Sequence, residues 1–209
     1  MKPNNATIRF LRSADAPQWR GFRDRVLLPM MAVVVWALLV PASMVAQQAK
    51  PSEYQVKAAY IYNFGKFVKW PAASAATRTG AFTICVLGED PFGSVLQSTL
   101  AGKLLDGKPV AIKRLQKPPD AAGCHILFID SAQERNLRAI LAAAKEASVL
   151  TVSDMPDFSK RGGMIQFVLI GDRVRFEINV ASTESASLVL ASDLLKVAAA
   201  VRRSAESGG

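Results

Sequence analysis

Two cysteines, one histidine and a few carboxylates that close apolar runs are the residues of this 209-residue chain with chemistry to offer. Cys85 and Cys124 stand 39 positions apart. No Cys-x-x-Cys pair exists, and the lone His125 directly follows Cys124, so the spacing of a zinc site is missing. Nucleophilic catalysis by serine or cysteine would need His125 as its base. That histidine opens an apolar run and reads as a core or strand-edge residue, so no catalytic residue is assigned. Glu89 and Asp90, Asp130, and Ser153 with Asp154 each follow an apolar run. Carboxylates at the carboxyl ends of parallel strands could hold Mg²⁺, as in a phosphoacceptor domain. The same residues also read as helix caps (Asp90, Ser131) and turn residues (Asp130, Asp154), and no lysine stands where such a domain needs one. Gly88 is isolated, and Gly162-Gly163 precedes a strand, so neither forms a phosphate-cradling loop. No metal and no cofactor are expected, and an enzyme is the least supported class.

How the cysteines are read depends on the compartment. No charged residue lies between Arg25 and Lys50. Arg20, Arg23 and Arg25 precede an apolar stretch from Val26 to Val40, then Pro41 and the small-residue segment up to Ala46. That order describes a secretory signal peptide over residues 1–46. Met44 is bulky for a cleavage site, and Val26–Ala46 is long enough to span a bilayer. An uncleaved N-terminal anchor is therefore the alternative, with Pro41 against it. In an exported chain an even cysteine count suggests a disulfide, the other reading being two buried thiols. Six of the 26 basic and two of the 17 acidic residues fall within the leader, so residues 47–209 keep only a mild positive excess. No basic run suggests nucleic acid.

Residues 47–209 suit one domain. Ser52 and Gln55 form a capping box opening a helix over 53–68, with Val56, Ala59, Tyr60, Phe64 and Phe67 as its buried stripe and Lys57, Asn63, Lys66 and Lys69 off it. Apolar runs at 82–87, 110–115, 125–129 and 149–152 read as strands. Helices are expected from Asp90-Pro91 to about Leu100, and from a second capping box, Ser131 with Glu134, through Ala144. Residues 164–170 and 173–179 read as a hairpin turned at Gly171-Asp172. A last helix is expected over 183–201. This is an α/β domain of three layers: a mixed sheet, parallel in its front half, with an antiparallel edge hairpin and flanking helices.

Two surfaces are candidates for recognition. One is the first helix, where Tyr54, Tyr62 and Trp70 do not all fit one buried stripe, and exposed Tyr and Trp are typical contact residues. The other is the polar face of the hairpin, with Arg173, Arg175 and Glu177.

The run from Glu53 to Phe64, with Phe67, Trp70 and Pro71, resembles the opening of the YfiR-like periplasmic proteins. Further matches are Ile84–Gly88 with Pro91-Phe92, Cys124–Ile129, Leu150–Asp154, Gly162–Ile165 and Val174–Asn179, in the family's order. The resemblance implies a non-enzymatic periplasmic regulator that represses an inner-membrane diguanylate cyclase by contact, lowering cyclic di-GMP signalling and biofilm formation. It also implies a homodimer and sequestration by an outer-membrane peptidoglycan-associated lipoprotein. Cys85 and Cys124 match a family disulfide. The best-known relatives carry a second pair around residues 158–167, where this chain has no cysteine. The alternative reading is a periplasmic small-molecule-binding sensor.

Overall fold

The structure, a computed structural model, describes residues 51–203 except residue 75. The leader, its cleavage point and any anchor role lie outside the described residues. Ser52 and Gln55 make the expected capping box: the Gln55 N–H donates to Ser52 Oγ at 3.3 Å, and the Ser52 N–H donates to Gln55 Oε1 at 2.7 Å. The helix they open, α1, spans Glu53–Phe67. Short strands β1 (Val68–Lys69) and β2 (Phe82–Leu87) follow, then α2 (Ser94–Leu100), β3 (Leu104–Leu105), β4 (Lys108–Leu115) and β5 (Ile126–Ile129). The rest is α3 (Leu137–Glu146), β6 (Leu150–Ser153), β7 (Ile165–Ile170), β8 (Arg173–Asn179), α4 (Val180–Ser185), β9 (Val189–Leu190), α5 (Ser192–Val197) and β10 (Ala200–Arg202).

Among the described residues the main sheet has eight strands in the order β10-β8-β7-β6-β5-β2-β4-β3. The strands from β4 to β7 run parallel, and β7–β8 is the antiparallel hairpin. The fold class is the expected mixed α/β sheet flanked by helices. Its hairpin lies one strand in from the edge, because β10 adds to β8 in parallel. The central strands β2, β5 and β6 are buried at every position, which explains why they read as continuous apolar runs rather than alternating ones. Alternation still sorts their side chains. Ile84, Val86 and Phe128 face a core under α1 and α2. Cys85, Leu87, Leu127 and Ile129 face a second core under α3, with Leu137, Ile140 and Phe158.

Helix α1 lies rotated from the expected stripe. Ala58, Ile61, Phe64 and Gly65 are buried together with Lys57, whereas Ala59 and Phe67 are exposed. Gly65 permits the close approach: a Cβ there would lie 2.6 Å from Leu105 Cδ1 and 3.1 Å from the Phe82 ring. Phe64 meets Phe167 and Phe176 of the hairpin at 5.9 and 5.1 Å between ring centroids. Aromatic packing thus joins α1 to the hairpin.

Three expected elements are corrected. The single helix over 183–201 is instead α4, β9, α5 and β10. Asn179 caps α4 by accepting the Ser182 N–H at 2.9 Å, and Ser187 leaves the helix with φ +60°. Residues 189–190 then pair with β1, a long-range contact that overrides local helix preference. Before α3, Asp130 is the capping residue, accepting the Ala132 N–H at 2.9 Å, and Ser131–Asn136 is 3₁₀ helix. Asp90 makes a turn onto the Phe92 N–H at 2.9 Å, and α2 begins only at Ser94.

Cys85 and Cys124 are joined by a disulfide, with their Cα atoms 5.9 Å apart. It ties the middle of β2 to the turn that feeds its neighbour β5. The segment where relatives carry a second bridge is closed here by hydrogen bonds. The Ser159 N–H donates to Gln166 Oε1 at 2.9 Å, Asn179 Nδ2 donates to the Ser159 carbonyl at 2.8 Å, and Ser159 Oγ donates to Glu177 Oε2 at 2.9 Å. Gly163 lies so close beneath Phe158 that a Cβ would come within 2.2 Å of the ring. Replacing Cys85 and Cys124 by Ser removes the closure of a 39-residue loop. The expected loss is about 4 kcal/mol by the chain-entropy estimate, read as a lower urea midpoint in the absence of reductant. An unchanged midpoint would contradict it.

Candidate protein-docking groove

Sequence reasoning placed recognition on α1 and the hairpin, and the structure forms a concavity between parts of both. A groove of about 520 Å³ is lined by Glu53, Val56 and Tyr60 of α1 and by Leu169, Val174 and the stretch Gly171–Arg173 with Arg175 of the hairpin. A second hollow of about 420 Å³ shares Glu53 and Leu169 with it and adds Lys57, Asp154, Gln166 and Phe167. Leu169 and Ile170, at the hairpin tip, are 58% and 57% exposed. Two large apolar side chains in water beside two arginines match the make-up of a contact surface.

The six candidate contact residues divide. Arg173 and Arg175 are exposed and line the groove, and Arg175 Nη2 donates to the Val197 carbonyl at 3.4 Å. Tyr54 sits near the second hollow, half-buried and edge-on to Phe92 at 5.4 Å. Its hydroxyl is 3.5 Å from Asp154 Oδ2. Burial first, and then the Asp154 charge, raise its pKa. Tyr62 lies elsewhere along α1, with its hydroxyl donating to the Leu104 carbonyl at 3.1 Å and Lys66 and Lys103 against its ring. Trp70 turns inward, donating from Nε1 to the His125 carbonyl at 3.1 Å. Glu177 accepts the Ser159 hydroxyl and closes the 159–166 loop. The groove therefore collects Arg173 and Arg175, with Tyr54 near the second hollow, while Tyr62, Trp70 and Glu177 serve local packing and hydrogen bonding.

Sequence reasoning missed Lys57. The residue is 3% exposed, yet its ammonium bonds Glu53 at 2.5 Å and Asp154 at 2.6 Å and lies 4.5 Å from the Tyr54 ring centre. Burial pulls its pKa down, and the two carboxylates more than offset that, leaving it raised and the side chain charged. The only local signal was the Glu53–Lys57 spacing of one helical turn. Asp154 directly follows β6, so this cluster pins α1 to the end of that strand beside the groove.

At the other strand ends Asp90 and Asp130 are engaged as well, while Glu89 is exposed. Asp90 Oδ2 accepts from Arg114 Nε at 2.7 Å, and Asp130 caps the turn before α3. Among the described residues no group of three or more His, Cys, Asp or Glu gathers as a metal site. His125 is buried between structural partners. Its ring Nδ1 accepts the Thr83 N–H at 3.1 Å, while its backbone N–H donates to the Thr83 carbonyl at 2.8 Å. The imidazole thus stands in for a backbone acceptor at the start of the β2–β5 ladder, stacked on Phe82 at 4.2 Å. Burial, with help from Lys108, lowers its pKa to about 4, so it is neutral at physiological pH.

Residues 54–199 match the family model described as YfiR/HmsC-like, DUF4154, and the chain belongs to that family. Among proteins with curated descriptions none matches the chain. A solved structure of a conserved domain protein from Vibrio cholerae O1 biovar El Tor str. N16961 superposes with a TM-score of 0.52 at 12% identity, over 72% of this chain and 60% of that one. The ABC domain in complex with L-Trp from Streptococcus pneumoniae gives a TM-score of 0.46 at 12% identity, over 71% and 60%. The first likeness shows the fold alone, and the second carries no argument. The chain spans about 60% of the length of these two solved proteins. Among the described residues no helix is long and apolar enough to cross a membrane.

Two predictions follow from these charges. Asp154→Ala deprives the buried Lys57 ammonium of one of its two carboxylates and is expected to cost about 1–3 kcal/mol. Lys57→Met removes the charge along with the need for partners and is expected to cost less, so urea midpoints in the reverse order would refute the arrangement. His125 holds a folded pKa below its ordinary 6.5. Its contribution is present above about pH 6.5 and is lost as pH falls toward about 4, because the unfolded chain takes up the proton first. Melting temperature is expected to fall across that window, less steeply in His125→Asn, and an identical slope in the variant would remove the assignment.

Proposed function

We propose that this protein is a non-enzymatic periplasmic regulator that restrains an inner-membrane diguanylate cyclase by direct contact. Membership of the YfiR/HmsC-like family over residues 54–199 is the observation that carries the reading. The charge-free stretch of the leader and the Cys85–Cys124 disulfide support an oxidising, exported setting. The family resemblance supplies the cyclase, the homodimer and a peptidoglycan-associated outer-membrane lipoprotein as the competing partner. The groove between α1 and the hairpin is the surface we assign to the cyclase contact, with Leu169 as its exposed apolar anchor and Arg173 and Arg175 as flanking charges. Binding there biases the cyclase toward its inactive state, and sequestration removes the bias. Cyclic di-GMP then changes in the cytoplasm without meeting this protein.

The test uses the triple variant Leu169→Asp, Arg173→Ala, Arg175→Ala in cells. These residues are exposed or partly exposed at the rim, so the melting temperature is expected to hold. Crosslinking to the membrane cyclase is expected to fall about tenfold or more, as loss of a contact centre entails, and cyclic di-GMP is expected to rise to the level that deletion is expected to give. Full repression by a folded triple variant would reject the groove. No change in cyclic di-GMP on deletion would reject the regulator itself.

A further inference from the structure

On the opposite face of the sheet from α1, helix α3, the 161–164 turn and α4 enclose a smaller cleft of about 180 Å³. Its charged lining is entirely basic: Arg138 and Lys145 from α3, and Arg161 from the turn. Arg138 and Lys145 are seven positions apart, with Leu141 and Ala142 between them at the cleft, so two helical turns set one cation at each end. Among the described residues neither has an acidic partner. Arg161 is fixed from outside the cleft, with Nη1 donating to Glu134 Oε1 at 2.6 Å. Ser182 and Ser185 of α4 close the cleft with hydroxyl groups. The Ser185 hydroxyl is spent on the Ser182 carbonyl at 2.8 Å, and the Ser182 hydroxyl makes no hydrogen bond among the described residues.

Two cations without an acidic partner, Arg138 and Lys145, share one small concavity with the Glu134-bound Arg161, and its lining holds no carboxylate. Such an arrangement is relieved by a bound anion, which answers their like charge with charge-assisted hydrogen bonds. The cleft holds more than a bare tetrahedral oxyanion and much less than a nucleotide or a protein segment. The guanidinium of Arg138 can present a fork to two oxygens, while Lys145 offers a point charge to a third. Leu141 and Ala142 offer a short apolar wall to the remainder of a small ester.

We propose that this cleft binds the phosphate group of a small phosphorylated molecule, with Arg138 and Lys145 as the principal contacts, Arg161 as a fixed supporting charge and Ser182 as a hydroxyl donor. The site is separate from the α1–hairpin groove and does not depend on the cyclase contact.

The experiment is calorimetric titration of the purified protein, disulfide intact, at low ionic strength. Three probes are used: inorganic phosphate, glycerol phosphate, and vesicles of phosphatidylglycerol. Saturable binding of glycerol phosphate, tighter than inorganic phosphate and weakening as salt rises, is the expected result. Arg138→Gln with Lys145→Gln is expected to weaken it about tenfold or more, the scale of a lost charge-assisted hydrogen bond, while Lys160→Gln, whose partner is Asp157, leaves it unchanged. Both altered side chains are exposed, and an unchanged melting temperature shows the double variant folded. Binding to vesicles alone would transfer the site to a membrane surface and overturn the proposal. Absence of saturable binding by either soluble probe, or binding that the double variant retains, would also overturn it.

Discussion

Burial of β2 and β5 on both faces is the constraint from which the rest of this structure follows. Each strand places one set of side chains under α1 and α2 and the other under α3, so neither face can be left to solvent. Two full helical layers must then be held against the sheet. Within the sheet the disulfide ties β2 to the turn that leads into β5, and Leu137 and Ile140 of α3 pack into the core beside it. On the other side Phe64 and Tyr60 of α1 pack into Phe167 and Phe176 of the hairpin. At the seam His125 supplies a ring nitrogen in place of a backbone carbonyl. Its neutrality at physiological pH is a condition of that bond, since an imidazolium has no acceptor to offer.

The layered arrangement leaves the hairpin tip unsupported. Helix α1 covers Phe167 and Phe176, but its first turn starts beside Leu169 and Val174 and leaves a groove there. The Lys57–Asp154–Glu53 cluster holds the helix at this position. A buried ion pair with unequal burial of its partners adds little net stability, yet it penalises any other placement of the helix. The cluster thereby fixes the spacing between α1 and the hairpin, so the groove we propose for docking is preformed.

Much of the architecture was legible in the sequence because burial on both faces writes itself as an unbroken apolar run. The strands at 82–87 and 126–129, the α1 capping box and the 173–179 alternation all carry local signals that survive in the fold. The errors arose where long-range contacts decided the outcome. Leu188, Leu190, Leu194 and Leu195 can be spaced along one helix, but pairing of residues 189–190 with β1 breaks it, and nothing near residue 189 announces a partner at residue 69. Lys57 looked like a solvated charge because its second carboxylate lies 97 residues away. The aromatic residues of α1 and of the segment just after it could not be divided from sequence, since whether Tyr62 or Trp70 meets solvent depends on β3 and on the carbonyl of His125. The arginines of β8 could be placed, because strand alternation alone assigns them outward.

The role we propose is an effect on another protein's rate. The most direct measurement reconstitutes the inner-membrane diguanylate cyclase in vesicles with its periplasmic side outward and GTP sealed within. The purified, disulfide-bonded protein is then titrated outside, and cyclic di-GMP synthesis is followed. The account predicts a saturable fall in synthesis with no change in the added protein itself. Synthesis that stays constant at every concentration would contradict it.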